Sequence, residues 1–152
     1  LNRVTNGPTV NESLETSIPG VFAAGNVLHV HDLVDFVSEE AEAAGRNAAA
    51  YVAAGGEETE LNEIPVEIEG GPRYTVPATI DPKRAGDKLT VRFRVGGVMK
   101  KKSVNVYLDD ERVVHRKRPV MAPGEMEEVL LTRAMFDKHP DLKSIKIKVE
   151  EE

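Results

Sequence analysis

The chain has 152 residues, 40% of them hydrophobic and 30% charged, enough apolar mass for one ordinary core or two small ones. No apolar run approaches the ~20 residues that cross a bilayer. There is no cysteine, which excludes an internal disulfide framework and a CxxC redox pair.

Charge divides the chain. Residues 1–59 carry two basic side chains, Arg3 and Arg46, against nine acidic ones, a balance of −7, whereas residues 60–152 stand at +1. The shift predicts two domains of different character. Neither balance suits nucleic acid, because a phosphate-binding face needs a clear basic excess. The basic run Lys100, Lys101 and Lys102 reads as a solvated hairpin tip. The opening at Leu1 carries no signal-peptide pattern and reads as the middle of a fold, so a piece of a longer cytoplasmic polypeptide is expected. The sequon at Asn11 is expected to be bare.

In chain order, the first element is the apolar run 21–24, Val-Phe-Ala-Ala, bounded by Pro19-Gly20 and Gly25. A short run between turn residues suits a buried parallel strand. From residue 32 to about 54, Leu33, Val34, Val37, Ala41, Ala44, Ala48, Tyr51 and Val52 recur at threes and fours, the period of an amphipathic helix. Asp32, Asp35 and Ser38 are candidate N-caps, and the acidic trio Glu39, Glu40 and Glu42 favours a start near Asp35, with capping and solvation as its role. Gly55-Gly56 ends the helix and opens an acidic linker over 55–63.

Beyond the linker the period becomes two. Strands are expected over 64–69, 74–80, 88–95, 103–108, 112–117, 126–132 and 144–149, with a helical turn over 133–138. Seven short strands joined by Gly, Pro and Asp turns suggest an antiparallel β-sandwich of immunoglobulin-like topology.

The run 16–26, Thr-Ser-Ile-Pro-Gly-Val-Phe-Ala-Ala-Gly-Asn, resembles the second FAD-binding motif of the pyridine nucleotide-disulfide oxidoreductase superfamily, thioredoxin reductase-like enzymes included. The Ala-Gly-rich helix text that follows fits the same pattern, so the resemblance covers roughly residues 1–54. It implies that residues 1–54 are the last strand and helix of an α/β FAD-binding domain; with the linker over 55–63 and the β-sandwich over 64–152 read from the patterns above, the chain is expected to be an α+β fragment. It further implies that Gly25, Asn26, Val27, Val37 and Ser38 lie against FAD. Gly25 would allow close backbone approach, and the helix N-terminus would stabilise negative charge on the flavin.

Two departures stand out. Asn26 occupies the family's acidic position and adds no charge. The insert from Leu28 to Leu33 contains His29 and His31. The combination resembles a branch without the reductase cysteine pair, related to flavoproteins that accompany glycerol-3-phosphate or amine dehydrogenases. The implied activity is electron transfer between NAD(P) and an acceptor through FAD, in a parent that also holds the Gly-x-Gly-x-x-Gly turn missing here; these residues alone should be inactive and hold FAD poorly. Implied partners are the remaining FAD and NAD(P) domains, a dehydrogenase subunit or a second copy. A different class of function, a β-sandwich binding or assembly module, is the alternative.

His29-x-His31-Asp32 is half a metal-site pattern, since alternate residues of an extended segment share a side. Hydrogen bonding within the loop, or placement of a histidine near the flavin, is favoured over it, and no metal ligand or catalytic residue is assigned. His115 and His139 read as surface residues.

Overall fold

Two sheets enclose one hydrophobic core in the computed structural model, which describes residues 1–56 and 62–152. The elements, in order, are a 3₁₀ turn (Gly25–Val27), α1 (Val34–Ala53), β1 (Ile64–Glu69), β2 (Pro72–Val76), β3 (Thr79–Ile80), β4 (Lys88–Val95), β5 (Met99–Leu108), β6 (Glu111–Met121), β7 (Glu127–Thr132), α2 (Arg133–Asp137) and β8 (Ile145–Glu151). The architecture is α+β. One sheet has the order β3-β1-β8-β5-β6 and the other β2-β4-β7. Among the described residues no helix is long and apolar enough to cross a membrane.

The period-two text folds as its alternation dictates. Val91, Phe93 and Val95 of β4 face Val104, Val106 and Leu108 of β5 and Ile145, Ile147 and Val149 of β8 across the core. Each such side chain contributes about 1.5–3 kcal/mol by leaving water. The expected all-antiparallel sandwich needs one correction: β1 runs parallel to β8, with Val66 opposite Ile145 and Ile68 opposite Ile147. A parallel pair needs a long connection, and nearly the whole β region lies between these two strands. The strand expected over 74–80 is two strands in different sheets, β2 and β3, because Pro77 lacks the N–H a continuous ladder would need. The lysines 100–102 lie inside β5, paired with β6, and the two-residue hairpin tip is instead Asp109-Asp110, with Asp109 at φ 52°.

The residues before β1 behave less regularly. No parallel strand forms over 21–24; the run makes one antiparallel bridge, Glu15 to Phe22, and Val21 is 46% exposed. A strand meant for burial on both faces finds no sheet among the described residues to enter. The helix does form, starting at Val34, one residue before the expected Asp35. None of the three expected caps acts at its N-terminus: the N-cap is Leu33, Asp32 bonds elsewhere, and Ser38 Oγ donates to the Val34 carbonyl (3.2 Å). Its C-terminus closes as a Schellman motif, Gly55 N–H donating to Val52 O and Gly56 N–H to Tyr51 O (both 3.0 Å), with Gly55 at φ 82°. The expected linker over 55–63 otherwise falls mainly on residues 57–61, outside the described residues.

α1 and the segment before it lie on the outer face of β2 and β4. Val10, Leu14, Leu28 and Ala44 form a second buried cluster with Tyr74 and Val76 of β2. Polar ties reinforce it: Glu12 accepts from Arg84 Nε (2.7 Å) and Asp81 N (3.0 Å), and Asn11 Nδ2 donates to Glu63 (2.8 Å). Burial pushes the Glu12 carboxyl above its ordinary 4.5 despite these donors. Ile18, Val21, Val27, Val30, Leu33 and Val34 remain exposed. Hydrogen exchange should follow this division. Amides of β4 and β8, each flanked by strands on both sides, are expected to be the slowest, and those of 21–24 to exchange sooner. Slower exchange at 21–24 in a monomeric sample would refute the division.

Candidate functional site

The residue that organises the first part of the chain is Glu40. On α1 the inner face is built by Phe36, Val37, Glu40, Ala43, Ala44, Asn47, Ala48 and Tyr51, while Val34 and Ala41 are exposed. Glu40 is therefore no solvated helix acid. It stands at the centre of the buried face, its side chain 4% exposed.

Two histidines converge on it. The run after the 3₁₀ turn places His29 and His31 inward, with side chains 1% and 0% exposed. Val30 between them is left outward. His31 Nε2 lies 3.1 Å from Glu40 Oε1, which also accepts the Gly25 N–H at 2.7 Å. His29 Nε2 lies 3.8 Å from Glu40 Oε2, too far for a hydrogen bond, while its Nδ1 meets Tyr74 Oη at 3.2 Å. The two imidazoles pack edge to face, centroids 4.5 Å apart. Ligand-type atoms of His29, His31 and Glu40 all lie within 4.8 Å of one another.

The wall opposite comes from the outer face of β4 and β2. Arg92 Nη1 reaches to 4.0 Å from Glu40 Oε2 while its guanidinium stacks 5.2 Å over the Phe36 ring. Arg94 binds Asp32 Oδ1 (2.5 Å) and the Val30 carbonyl (2.8 Å), and Asp32 Oδ2 accepts the Met126 N–H (2.8 Å). Partial burial would raise the Asp32 carboxyl, but the Met126 N–H and the Arg94 guanidinium hold it below its ordinary 3.8. Burial also opposes ionisation of Glu40, and His29, Gly25 and His31 together more than offset that, leaving it below 4.5. Burial holds the Tyr74 hydroxyl above 10.0, as a neutral donor and acceptor.

Two clefts reach this cluster. One of about 270 Å³ is lined by Asn26, His29, Arg73, Tyr74 and Arg94, and one of about 160 Å³ by Glu12, Glu39, Glu40, Val76 and Arg92. Chemically the arrangement offers a buried anionic oxygen pair, two nitrogen donors and arginines at the rim: a site for a cation at its centre and for an anion in the first cleft.

The residues expected against FAD occupy one neighbourhood but not one surface. Gly25 is buried at φ 73°, and a Cβ there would stand 3.1 Å from Val37 Cγ1, so the turn and the helix meet closely at this point. Asn26, Val27 and Ser38 are exposed and Val37 is half-buried. Asn26 Oδ1 accepts the His31 N–H (3.3 Å), which ties the motif to the histidine pair. These residues fit a flavin in part. The first turn of α1 has no side-chain cap and is open to an anion, but the Gly25 N–H is already given to Glu40.

Sequence reasoning singled out the two histidines but missed Glu40, Tyr74, Arg92 and Arg94. It paired the histidines with Asp32, the nearest acid in the chain, whereas the fold gives Asp32 to Arg94 and brings in Glu40. Of the other histidines, His115 is exposed and bonds Asn105 Oδ1 (2.7 Å), whereas His139 is only 10% exposed and bonds the Met135 carbonyl (2.8 Å). Comparison with protein-family models, curated proteins and solved structures gave no match to this chain.

Proposed function

We propose that this chain is the C-terminal part of a flavoprotein oxidoreductase that passes electrons between a nicotinamide cofactor and another acceptor through FAD. The observation that carries the reading is the eleven-residue run 16–26 followed by α1, whose first turn is left without a side-chain cap. The exposed apolar residues Ile18, Val21, Val27, Val30, Leu33 and Val34 support it, because a surface of that kind calls for covering by another body. The remaining FAD and NAD(P) domains are the proposed cover, with a dehydrogenase subunit or second copy as further partners, in a cytoplasmic setting.

FAD, when bound, would supply hydride and single-electron chemistry. The chain's own residues would position it. The free N–H groups of the first turn of α1, those of Val34, Asp35 and Phe36, would face its negative charge with Val37 and Ser38 beside it, and Asn26 would hydrogen-bond where the family carries an acid. Residues 64–152, an immunoglobulin-like sandwich in this reading, would act as an assembly module holding α1 on its outer face.

The full-length polypeptide containing these residues is expected to be yellow, to release FAD on denaturation and to be bleached by NADH or NADPH. A colourless protein that takes up no flavin on reconstitution refutes the proposal. Residues 1–152 alone should bind FAD weakly, lacking the glycine-rich phosphate turn, and micromolar or tighter affinity would contradict that part.

A further inference from the structure

We infer that His29, His31 and Glu40 form a binding site for a divalent transition-metal ion of the zinc class. The inference is independent of the flavin reading.

Hydrogen bonding alone leaves the cluster unsatisfied. Among the described residues, His29 Nε2 is buried without a hydrogen-bond partner. With its proton on Nδ1, donated to Tyr74 Oη, His29 would point a bare nitrogen lone pair at the Glu40 carboxylate. With the proton on Nε2, the N–H ends 3.8 Å from Oε2, too far to pair, and a buried donor is stranded. Either tautomer carries a cost that a cation between the imidazole and the carboxylate removes.

The dimensions suit such an ion. Zinc binds imidazole nitrogen at about 2.0–2.1 Å and carboxylate oxygen at about 2.0–2.2 Å, which separates adjacent tetrahedral ligands by roughly 3.4 Å. The observed separations, 3.1 Å from His31 Nε2 to Glu40 Oε1 and 3.8 Å from His29 Nε2 to Glu40 Oε2, lie on either side of that figure, and the three ligand atoms all lie within 4.8 Å of one another, a spread that small side-chain shifts on binding would close. Two histidines and one glutamate are the ligand set of open zinc sites, in which solvent or a ligand takes the fourth position, and here either cleft gives access. Tyr74 already stands behind His29 at Nδ1, the outer partner that orients a metal-bound imidazole. The competing cation is Arg92. It approaches only to 4.0 Å, and its guanidinium is shared with Glu128 (3.7 Å) and the Phe36 ring.

Purified protein, stripped with chelator, is to be titrated with Zn²⁺ by calorimetry and with Co²⁺ by visible absorption. The expected result is one ion per chain with micromolar or tighter affinity and the intense visible bands of a low-coordinate Co²⁺ site. E40Q and H31A should abolish that binding, H115A/H139A should leave it unchanged, and Y74F, which keeps all three ligands, should weaken it about 10-fold. Absence of saturable binding by the wild-type protein overturns the inference. So does affinity that survives E40Q and H31A, or that disappears in H115A/H139A. Circular dichroism of each variant tests folding; should E40Q misfold, the wild-type Co²⁺ spectrum and Y74F decide.

Discussion

Replacing Phe93 by alanine is expected to destabilise the protein by about 3–5 kcal/mol, seen as a lower urea midpoint with an unchanged slope. Phe93 is 0% exposed and sits in the middle strand of the three-stranded sheet, opposite Thr75 on one side and Glu127 on the other. Its ring belongs to the buried cluster that includes Val106, Leu131 and Ile147, so it joins both sheets. Truncation removes the transfer energy of the ring and leaves a cavity. The ladders on either side of β4 keep its backbone from closing that cavity, which puts the cost at the full range rather than below it. Leu130→Ala provides the contrast. It lies on the outward face of β7, 45% exposed, and should change stability by no more than about 0.5 kcal/mol. A Phe93→Ala cost below about 1 kcal/mol would mean that the two sheets do not share one core.

The sandwich was legible because its information is local. Ile145, Ile147 and Val149 announce a half-buried strand by alternation alone, and Gly55-Gly56 announces a helix end by the conformations only glycine adopts freely. What stayed hidden needed partners distant in sequence. The parallel pairing of β1 with β8 joins residues about eighty positions apart, and no local pattern distinguishes it from an antiparallel one. The site shows the same limit. A helical wheel allows either Glu40 or Ala41 at the middle of the inner face, and hydrophobicity selects Ala41. The fold selects Glu40, because Gly25, His29 and His31 meet that side of the helix and supply polar partners. For 21–24 the sequence is a strand by composition, but a strand is completed only by neighbours, and none of the described residues provides a sheet for it.

Removing Arg116 and Arg118 together is expected to cost more than either single substitution, because it leaves the Glu127 carboxylate without a counter-ion. Glu127 begins β7 in the core-facing register of Val129 and Leu131 and is only 1% exposed, so a carboxylate lies at the edge of an apolar layer. Its two oxygens are divided between the arginines: Oε2 accepts from Arg116 Nη2 (2.9 Å), and Oε1 from Arg118 Nη2 (2.7 Å) and Nε (3.1 Å). Both arginines belong to β6, an outer strand of the five-stranded sheet, and Glu127 to β7, an outer strand of the other. The triad thus fastens the two sheets where they have no ladder between them. In Arg116→Ala or Arg118→Ala one guanidinium remains to compensate the carboxylate, and each should cost about 1–3 kcal/mol, the range for a lost charge-assisted hydrogen bond. In the double variant the buried charge has no counter-ion. The loss should lie toward the lower end of the roughly 3–5 kcal/mol found when a buried pair is broken, because the guanidiniums are 42% and 31% exposed and water already screens them in part. Adding Glu127→Leu to the double variant should recover most of it, since the charge that carries the penalty is gone and β7 gains an apolar side chain facing the core. Urea unfolding of the wild type and the four variants measures the series. If the triple variant is no more stable than the double one, uncompensated charge at Glu127 is not the source of the loss, and the arginines stabilise the edge through packing of their alkyl stems instead.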